Sequence, residues 1–132
     1  MSRYLLDTNI ISELVRNPQG PVAAKIRAVG EAKVCTSIIV AAEMRFGVIR
    51  KSSPRLTMQV DKVLGALDVM PFEEPAEIAY GELRHQLETA GTPIGANDML
   101  IAAHAMAQGL TVVTDNVREF RRVEGLRVEN WL

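Results

Sequence analysis

The stretch Tyr4-Leu5-Leu6-Asp7-Thr8-Asn9 lies near the start of the chain and decides how it folds. Its first three residues are apolar, and a short apolar run broken by an acid predicts a buried β-strand that ends in a carboxylate. The apolar residues that follow repeat at helical spacing, so the strand passes directly into a helix. In an open α/β sheet, ligands bind at the carboxyl ends of the strands. Asp7 is therefore either the cap of that helix, where Asp is favoured, or a functional carboxylate. This stretch alone leaves both interpretations open.

Length and composition indicate a globular protein. The chain has 132 residues, of which 48% are hydrophobic and 23% charged, and we expect a single domain over residues 1–132. The net charge of −1 does not exclude a nucleic-acid partner, because a balanced total can hide a basic patch. No stretch approaches the roughly 20 apolar residues of a membrane helix, and no signal peptide is evident. The single cysteine, Cys35, rules out an internal disulfide. We therefore expect a cytoplasmic protein.

Predicted strands alternate with predicted helices along the whole chain. The strands are expected at residues 4–6, 34–36, 68–70, 110–113 and 126–129. The helices are expected at residues 8–16, 21–29, 38–50, 55–66, 75–90, 97–108 and 117–121. This alternation predicts an α/β fold, a three-layer α/β/α sandwich whose central sheet has about five strands, mostly parallel.

Glu43 is an unusual residue in the third predicted helix. We expect Ser37 to cap this helix and the stripe Ile39-Ala42-Phe46-Ile49 to face the core. A helical glutamate on a surface usually has a basic residue three or four positions away, but the corresponding neighbours of Glu43 are apolar or glycine. Glu43 therefore takes a partner from elsewhere in the fold, or lies at the rim of the buried stripe in contact with water.

Two further acids stand at comparable positions. Asp98 lies in the first turn of an alanine-rich helix that is apolar nearly all round, which indicates a buried helix. Asp115 follows the β-branched strand Leu110-Thr111-Val112-Val113, just as Asp7 follows the first strand. Each acid has a capping interpretation as well as a functional one.

The four acids Asp7, Glu43, Asp98 and Asp115 are expected to meet at one edge of the sheet, since parallel strands share that edge. Converging carboxylates repel one another and raise each other's pKa, and a divalent cation removes this penalty. Oxygen ligands without histidine or cysteine favour Mg²⁺ or Mn²⁺ over Zn²⁺. Such a site suits phosphoryl chemistry, in which a cation orients the phosphate, activates water and stabilises the leaving oxygen. The chain has no glycine-rich phosphate loop.

Taken together, these motifs identify a known family. The chain resembles the PIN domain, and more closely the VapC-type toxins of bacterial toxin–antitoxin pairs. The resemblance covers essentially the whole chain. The matching segments are LLDTN at 5–9, TS at 36–37, AEMRFG at 42–47, TPIGAND at 92–98, VTDN at 113–116, REF at 118–120 and ENWL at 129–132.

The resemblance implies a Mg²⁺-dependent endoribonuclease that a cognate antitoxin holds inactive. It implies a homodimer, assembled with an antitoxin whose tail covers the active-site groove. Asp7 and Asp98 match the main metal ligands, and Glu43 matches the third acid. Asp115 matches the fourth acid, for which Glu119 is an alternative because some relatives carry Asn at the Asp115 position. The remaining matches, Thr8, Asn9 and Thr114, would orient ligands or water.

Two groups of basic residues could contact RNA phosphates. One group is Arg45, Arg50, Lys51 and Arg55, and the other is Arg118, Arg121, Arg122 and Arg127. For any single arginine, an ordinary solvated surface position is the simpler interpretation. Aromatic residues are few, which argues against base stacking as the main source of affinity.

Other protein classes fit the sequence less well. A phosphoryl-receiver domain needs an aspartate at the end of the third strand and a lysine at the end of the fifth, but Met70-Pro71 ends the third strand and the fifth has no such lysine. A phosphatase with a D-x-D opening needs an acid where Asn9 stands. The alternative from another functional class is a catalytically silent PIN-like module that binds RNA or a partner. Metal-dependent cleavage of RNA distinguishes it from a nuclease.

Overall fold

A computed structural model describes residues 3–132 and contains a five-stranded sheet in the order β3-β2-β1-β4-β5. All four strand pairings are parallel. The strands are β1 (Tyr4–Leu6), β2 (Val34–Ser37), β3 (Asp68–Met70), β4 (Thr111–Val113) and β5 (Val128–Glu129). Helices flank this sheet, so the predicted α/β/α sandwich is confirmed.

The helices follow the predicted boundaries closely. They are α1 (Thr8–Arg16), α2 (Pro21–Val29), α3 (Ile38–Lys51), α4 (Pro54–Ala66), α5 (Ala76–Ala90), α6 (Ala96–Gln108) and α7 (Val117–Phe120). The largest difference from the predictions lies in the last strand, which begins at Val128 rather than Leu126. Within residues 3–132, no helix is both long enough and apolar enough to cross a membrane.

The register of the central strands determines where the functional edge lies. Leu6 of β1 is paired with Val113 of β4, and the backbone N–H of Asp7 donates to the Val113 carbonyl oxygen at 2.9 Å. The hydroxyl of Thr36, on β2, donates to the Leu6 carbonyl oxygen at 2.7 Å. The carboxyl ends of three strands therefore lie side by side, and the chain enters α1, α3 and the β4–α7 corner from this edge.

The orientation of α3 differs from the prediction. Its buried residues are Val40, Ala41, Met44 and Val48. From the stripe expected to face the core, Phe46 is 63% exposed and Ile49 is 73% exposed. Two roughly opposite faces of this helix are apolar, so periodicity could not decide between them. The Ser37 cap, whose hydroxyl oxygen accepts from the backbone N–H of Ile39 at 3.0 Å, begins the helix in the observed phase.

In α5, the apolar periodicity predicts that Ile78, Leu83 and Leu87 face the core. Leu83 and Leu87 are buried, but the prediction was wrong for Ile78, which is 59% exposed. Cys35 is a buried free thiol in β2, and burial raises its pKa to about 11. A thiol with so high a pKa is a packing residue rather than a nucleophile.

Candidate active site

Asp7 caps α1, as one of the two interpretations of the sequence predicts, and its functional role stays a prediction. Its Oδ1 accepts from the backbone N–H of Thr8 at 2.8 Å and so caps α1. Its Oδ2 accepts from the hydroxyl of Thr114 at 2.8 Å and from the amide of Asn9 at 3.4 Å. The residue is only 3% exposed. Burial raises the pKa of Asp7, these hydrogen bonds oppose that shift, and the charge of Glu43 adds to it.

Glu43 has partners on two other helices, which confirms the prediction that they come from elsewhere in the fold. Its Oε1 accepts from the hydroxyl of Thr8 on α1 at 2.6 Å. Its Oε2 accepts from the side-chain amide of Asn97 on α6 at 3.2 Å. These bonds join the α1 and α6 N-termini to the middle of α3.

Asp98 lies half-buried in the first turn of α6, as its position in the sequence predicts. Its Oδ2 accepts from the side-chain amide of Asn116 at 3.1 Å. The pKa of Asp98 is raised to about 6, first by burial and then by the negative charges of Asp7 and Glu43. Asp7, Glu43 and Asp98 therefore lie within electrostatic reach of one another.

Asp115 is exposed, and its side chain has no hydrogen-bond partner among residues 3–132. Its backbone N–H donates to Oδ1 of Asn9 at 2.8 Å, which fixes the corner rather than the carboxylate. The charge of Glu119, on α7, contributes to the raised pKa of Asp98. The structure thus brings Glu119 into the electrostatics of the site, while the part of Asp115 in it stays a prediction.

The acids do not form a ready-made metal cage. Within the described residues, no three carboxylate, imidazole or thiol groups lie close enough together to hold an ion as they stand. In the same part of the chain, every hydrogen-bond donor to Asp7, Glu43 and Asp98 is a neutral group. The negative charges of these carboxylates are therefore not neutralised by the protein. Carboxylate oxygens without a counter-charge fit a hard divalent cation, which can draw them together.

Two site amides, Asn97 and Asn116, were not identified from the sequence. Each adjoins a predicted acid, in Asn97-Asp98 and in Asp115-Asn116. An amide next to an acid in a turn is common, because both residue types suit turns and helix starts. Only the fold shows that each amide binds an acid from a different segment or helix.

A cavity of about 560 Å³ opens beside Glu43. Its walls combine polar groups of the site with the exposed side of α3, and they are formed by Thr8, Ile39, Ala42, Glu43, Phe46, Asn97 and Leu100. Glu43 is therefore accessible from outside the protein.

Some of the basic residues bind other groups of the protein, and others have no partner in the described part of the chain. Arg122 donates to the Pro93 carbonyl oxygen and Arg127 to the Gly109 carbonyl oxygen, both at 2.8 Å, while Arg45 pairs with Asp61. Arg118 is exposed on α7 and has no hydrogen-bond or ion-pair partner in the described part of the chain. Arg118 comes two residues after Asn116, which binds Asp98, so it is free to contact a polyanion on this side of the protein.

The chain matches known proteins over nearly its full length. The PIN-domain model matches residues 4–126. The chain is 33% identical to the tRNA(fMet)-specific endonuclease VapC of Shigella flexneri, with 99% of each chain covered. It is 36% identical to Ribonuclease VapC2 of Rickettsia felis, with 97% of each chain covered.

Solved structures also match the chain over nearly its full length. VapBC2 from Rickettsia felis, bound to a DNA fragment from its promoter, matches with a TM-score of 0.91 and 35% identity over 98% of both chains. DNA-bound VapBC from Salmonella typhimurium matches with a TM-score of 0.90 and 32% identity over the full length of both chains. The chain therefore belongs to the PIN-domain family and, within it, to the VapC ribonucleases.

Proposed function

We propose that this chain is a Mg²⁺-dependent endoribonuclease, the toxin of a toxin–antitoxin pair, which hydrolyses RNA phosphodiester bonds. The observation that carries the proposal is the trio Asp7, Glu43 and Asp98. Asp7 follows β1, and Glu43 and Asp98 lie on α3 and α6. The charge of Glu43 contributes to the raised pKa of Asp7, the charges of Asp7 and Glu43 contribute to the raised pKa of Asp98, and the hydrogen-bond partners of all three acids are neutral. Carboxylates gathered without a counter-charge are suited to a divalent cation.

Divalent-metal dependence is general among PIN-domain nucleases of this kind, and we propose Mg²⁺, with Mn²⁺ as a substitute. When bound, such a cation supplies Lewis-acid charge to the phosphodiester and to the attacking water. Asp7, Glu43 and Asp98 would hold it, and the absence of histidine and cysteine from this donor set disfavours Zn²⁺. Asp115 is the proposed fourth acid, and Glu119 is the alternative that the electrostatics support.

The surrounding polar residues orient the acids. Thr8 and Asn97 each bind one carboxylate oxygen of Glu43, and Thr114 and Asn9 bind Oδ2 of Asp7. These donors are neutral, so they fix the carboxylates without cancelling the charge that a cation needs. Arg118 would contact an RNA phosphate next to the site.

The decisive experiment measures RNA cleavage by the purified chain with Mg²⁺, with Mn²⁺ and with EDTA. Because the Shigella relative is named as specific for tRNA(fMet), transfer RNA is the first substrate to test. We expect cleavage with either metal and none with EDTA, Asp7→Asn or Asp98→Asn. Glu82→Gln, which removes an exposed carboxylate on α5, is the control and should cleave normally.

The outcomes separate the two functional classes. Equal cleavage by wild type, Asp7→Asn and Asp98→Asn would refute the assignment of the site. RNA binding without cleavage under every metal condition would favour the catalytically silent module. Testing Asp115→Asn beside Glu119→Gln decides the fourth acid, since only the true member should lower the turnover rate.

We propose a cognate antitoxin as the protein partner, because solved relatives are toxin–antitoxin complexes. A groove of about 490 Å³ between α1, α2 and α4 fits the apolar face of an amphipathic helix. Its apolar lining includes Leu14, Ala23, Ile26 and Val63. Leu14→Asp should abolish antitoxin binding in co-purification while the free toxin still cleaves RNA; unchanged binding would place the antitoxin elsewhere.

We also propose that the chain forms a homodimer and acts in the cytoplasm, where RNA is available. The exposed apolar side of α3, with Phe46 and Ile49, is the surface that we expect a second copy to cover. Light scattering of wild type and Phe46→Glu tests the dimer: the variant should be monomeric, and a wild-type monomer would contradict the proposal.

A further inference from the structure

The corner between β4 and α7 contacts two acids of the site at once. The side-chain amide of Asn116 donates to Oδ2 of Asp98 at 3.1 Å. The backbone N–H of Asn116 donates to the hydroxyl oxygen of Thr114 at 2.9 Å, and that hydroxyl donates to Oδ2 of Asp7 at 2.8 Å. Three consecutive residues therefore connect a carboxylate at the end of β1 with one at the start of α6.

Asp98 depends on Asn116 more than the other two acids depend on any single neighbour. Asp7 and Glu43 each accept at least two hydrogen bonds. Among residues 3–132, Asn116 is the one hydrogen-bond donor to the Asp98 carboxylate. A Cβ built on Gly95 would lie 3.6 Å from Oδ2 of Asp98, so Gly95 packs beside this oxygen without offering it a side-chain donor.

An amide is chemically suited to this position. A lysine or arginine would neutralise Asp98 and compete with a cation, and an aspartate would add to the repulsion from Asp7 and Glu43. The amide N–H fixes Oδ2 without changing the charge of the site. It leaves Oδ1 of Asp98 without a partner among the described residues, and therefore available to a cation.

We propose that Asn116 is a positioning residue: it sets the orientation of the Asp98 carboxylate and, through Thr114, coordinates it with that of Asp7. This inference rests on the proposed function, because it assumes that Asp98 holds the metal. Neutral residues that orient metal ligands commonly contribute a factor of 10–100 to metal affinity.

The test measures the affinity of the purified full chain for Mn²⁺ in the absence of RNA. Electron paramagnetic resonance detects the binding. We expect Asn116→Ala to bind Mn²⁺ about tenfold more weakly than wild type. Asn130→Ala removes a different amide near the chain end and is the control that keeps wild-type affinity. Asn116→Ser is a second variant that lacks the amide. Serine suits a turn, so this variant keeps the test valid if Asn116→Ala folds poorly.

Kinetics separate positioning of Asp98 from a contact with RNA. At low Mn²⁺, Asn116→Ala should lose turnover rate while KM for RNA stays unchanged, and higher Mn²⁺ should restore the rate. Restoration by higher RNA concentration alone would overturn the inference, because it would place Asn116 at the substrate.

The control variant Asp98→Asn distinguishes a failure of this inference from a failure of the proposed function. If Asn116→Ala and Asn116→Ser both keep wild-type Mn²⁺ affinity while Asp98→Asn loses it, the role of Asn116 is overturned and the metal site stands. Wild-type affinity in Asp98→Asn overturns the metal site itself, and the inference with it.

Discussion

The hydroxyl of Thr8 lies 2.6 Å from Oε1 of Glu43 and joins the first turn of α1 to the middle of α3. Thr8 comes directly after Asp7, so the segment that supplies one acid also orients another. Oxygen–oxygen hydrogen bonds to a carboxylate are short and strong, and this one has that length. The position of Glu43 relative to Asp7 is therefore fixed by a side chain as well as by packing.

Thr8→Val should uncouple these two acids at nearly constant volume. We expect turnover of RNA to fall about tenfold, because an oriented metal ligand loses one of its two donors. Thr8→Ser keeps the hydroxyl and should recover most of the rate. Steady-state cleavage at fixed Mg²⁺ measures both variants, and a Thr8→Ser variant as slow as Thr8→Val would show that the methyl group matters instead.

Asp98→Asn should stabilise the metal-free protein at neutral pH. The pKa of Asp98 is raised from 3.8 to about 6, so the folded state binds this proton more tightly than the unfolded state does. That contribution to stability is present at low pH and is lost as the pH rises through the folded-state pKa. Because the carboxylate is half-exposed, we expect a gain of only about 1 kcal/mol at pH 7.5.

Urea unfolding in EDTA at several pH values measures this effect. The gain of Asp98→Asn over wild type should shrink as the pH falls towards 4, where the carboxyl is protonated in both states. Glu82→Gln, at an exposed position of α5, is the control and should show no comparable trend. A variant less stable than wild type at pH 7.5 would mean that the Asp98 charge has a stabilising partner.

Much of the fold could be predicted because local signals agreed with the tertiary structure. The run Tyr4-Leu5-Leu6 is apolar and short, and Pro21, Ser37 and Ser53 begin helices where their chemistry predicts. Asp7 follows a buried strand and Asp98 begins an apolar helix. A charge in an apolar setting costs free energy of folding, so both positions predict a functional carboxylate.

Other features depend on contacts that no local pattern encodes. The buried face of α3 lies on roughly the opposite side of the helix from the apolar stripe that includes Phe46, and both faces are hydrophobic. The bonds from Asn116 to Asp98 and from Asn97 to Glu43 form only when separate segments meet at the sheet edge. The strand order, with β1 at the centre, arises in the same way from long-range pairing.

Arg118→Ala should weaken RNA binding by removing one phosphate contact. Arg118 is exposed on α7 and has no hydrogen-bond partner in the described part of the chain, so its loss removes charge without breaking a structural hydrogen bond. We expect the slope of log affinity against log salt to decrease by about 0.7–1, the value for one phosphate contact. Fluorescence anisotropy with the inactive Asp98→Asn protein measures binding without cleavage. Arg16→Ala, on α1, is the control, and an equal slope change in both variants would argue against a specific contact.

His104 should make the protein less stable in mild acid. Its ring is 1% exposed, Nδ1 lies 2.8 Å from the Ser37 hydroxyl oxygen, and Nε2 has no partner among the described residues. Burial lowers the pKa of His104 below 6.5, and the charge of Glu73 opposes this only in part. The folded state therefore binds the proton less tightly than the unfolded state, so stability present above pH 6.5 is lost as the pH falls through the folded-state pKa.

His104→Asn tests whether His104 causes the loss of stability in mild acid, because asparagine keeps a polar group near Ser37 but does not titrate. Between pH 7.5 and 5, the free energy of unfolding should fall more steeply for wild type than for His104→Asn. The variant should also be less stable at pH 7.5, because it loses the packing of the ring edge against Phe72. His85→Asn, at an exposed position of α5, is the control and should keep the wild-type slope. If His104→Asn and wild type lose stability in parallel, another buried group is responsible for the acid sensitivity.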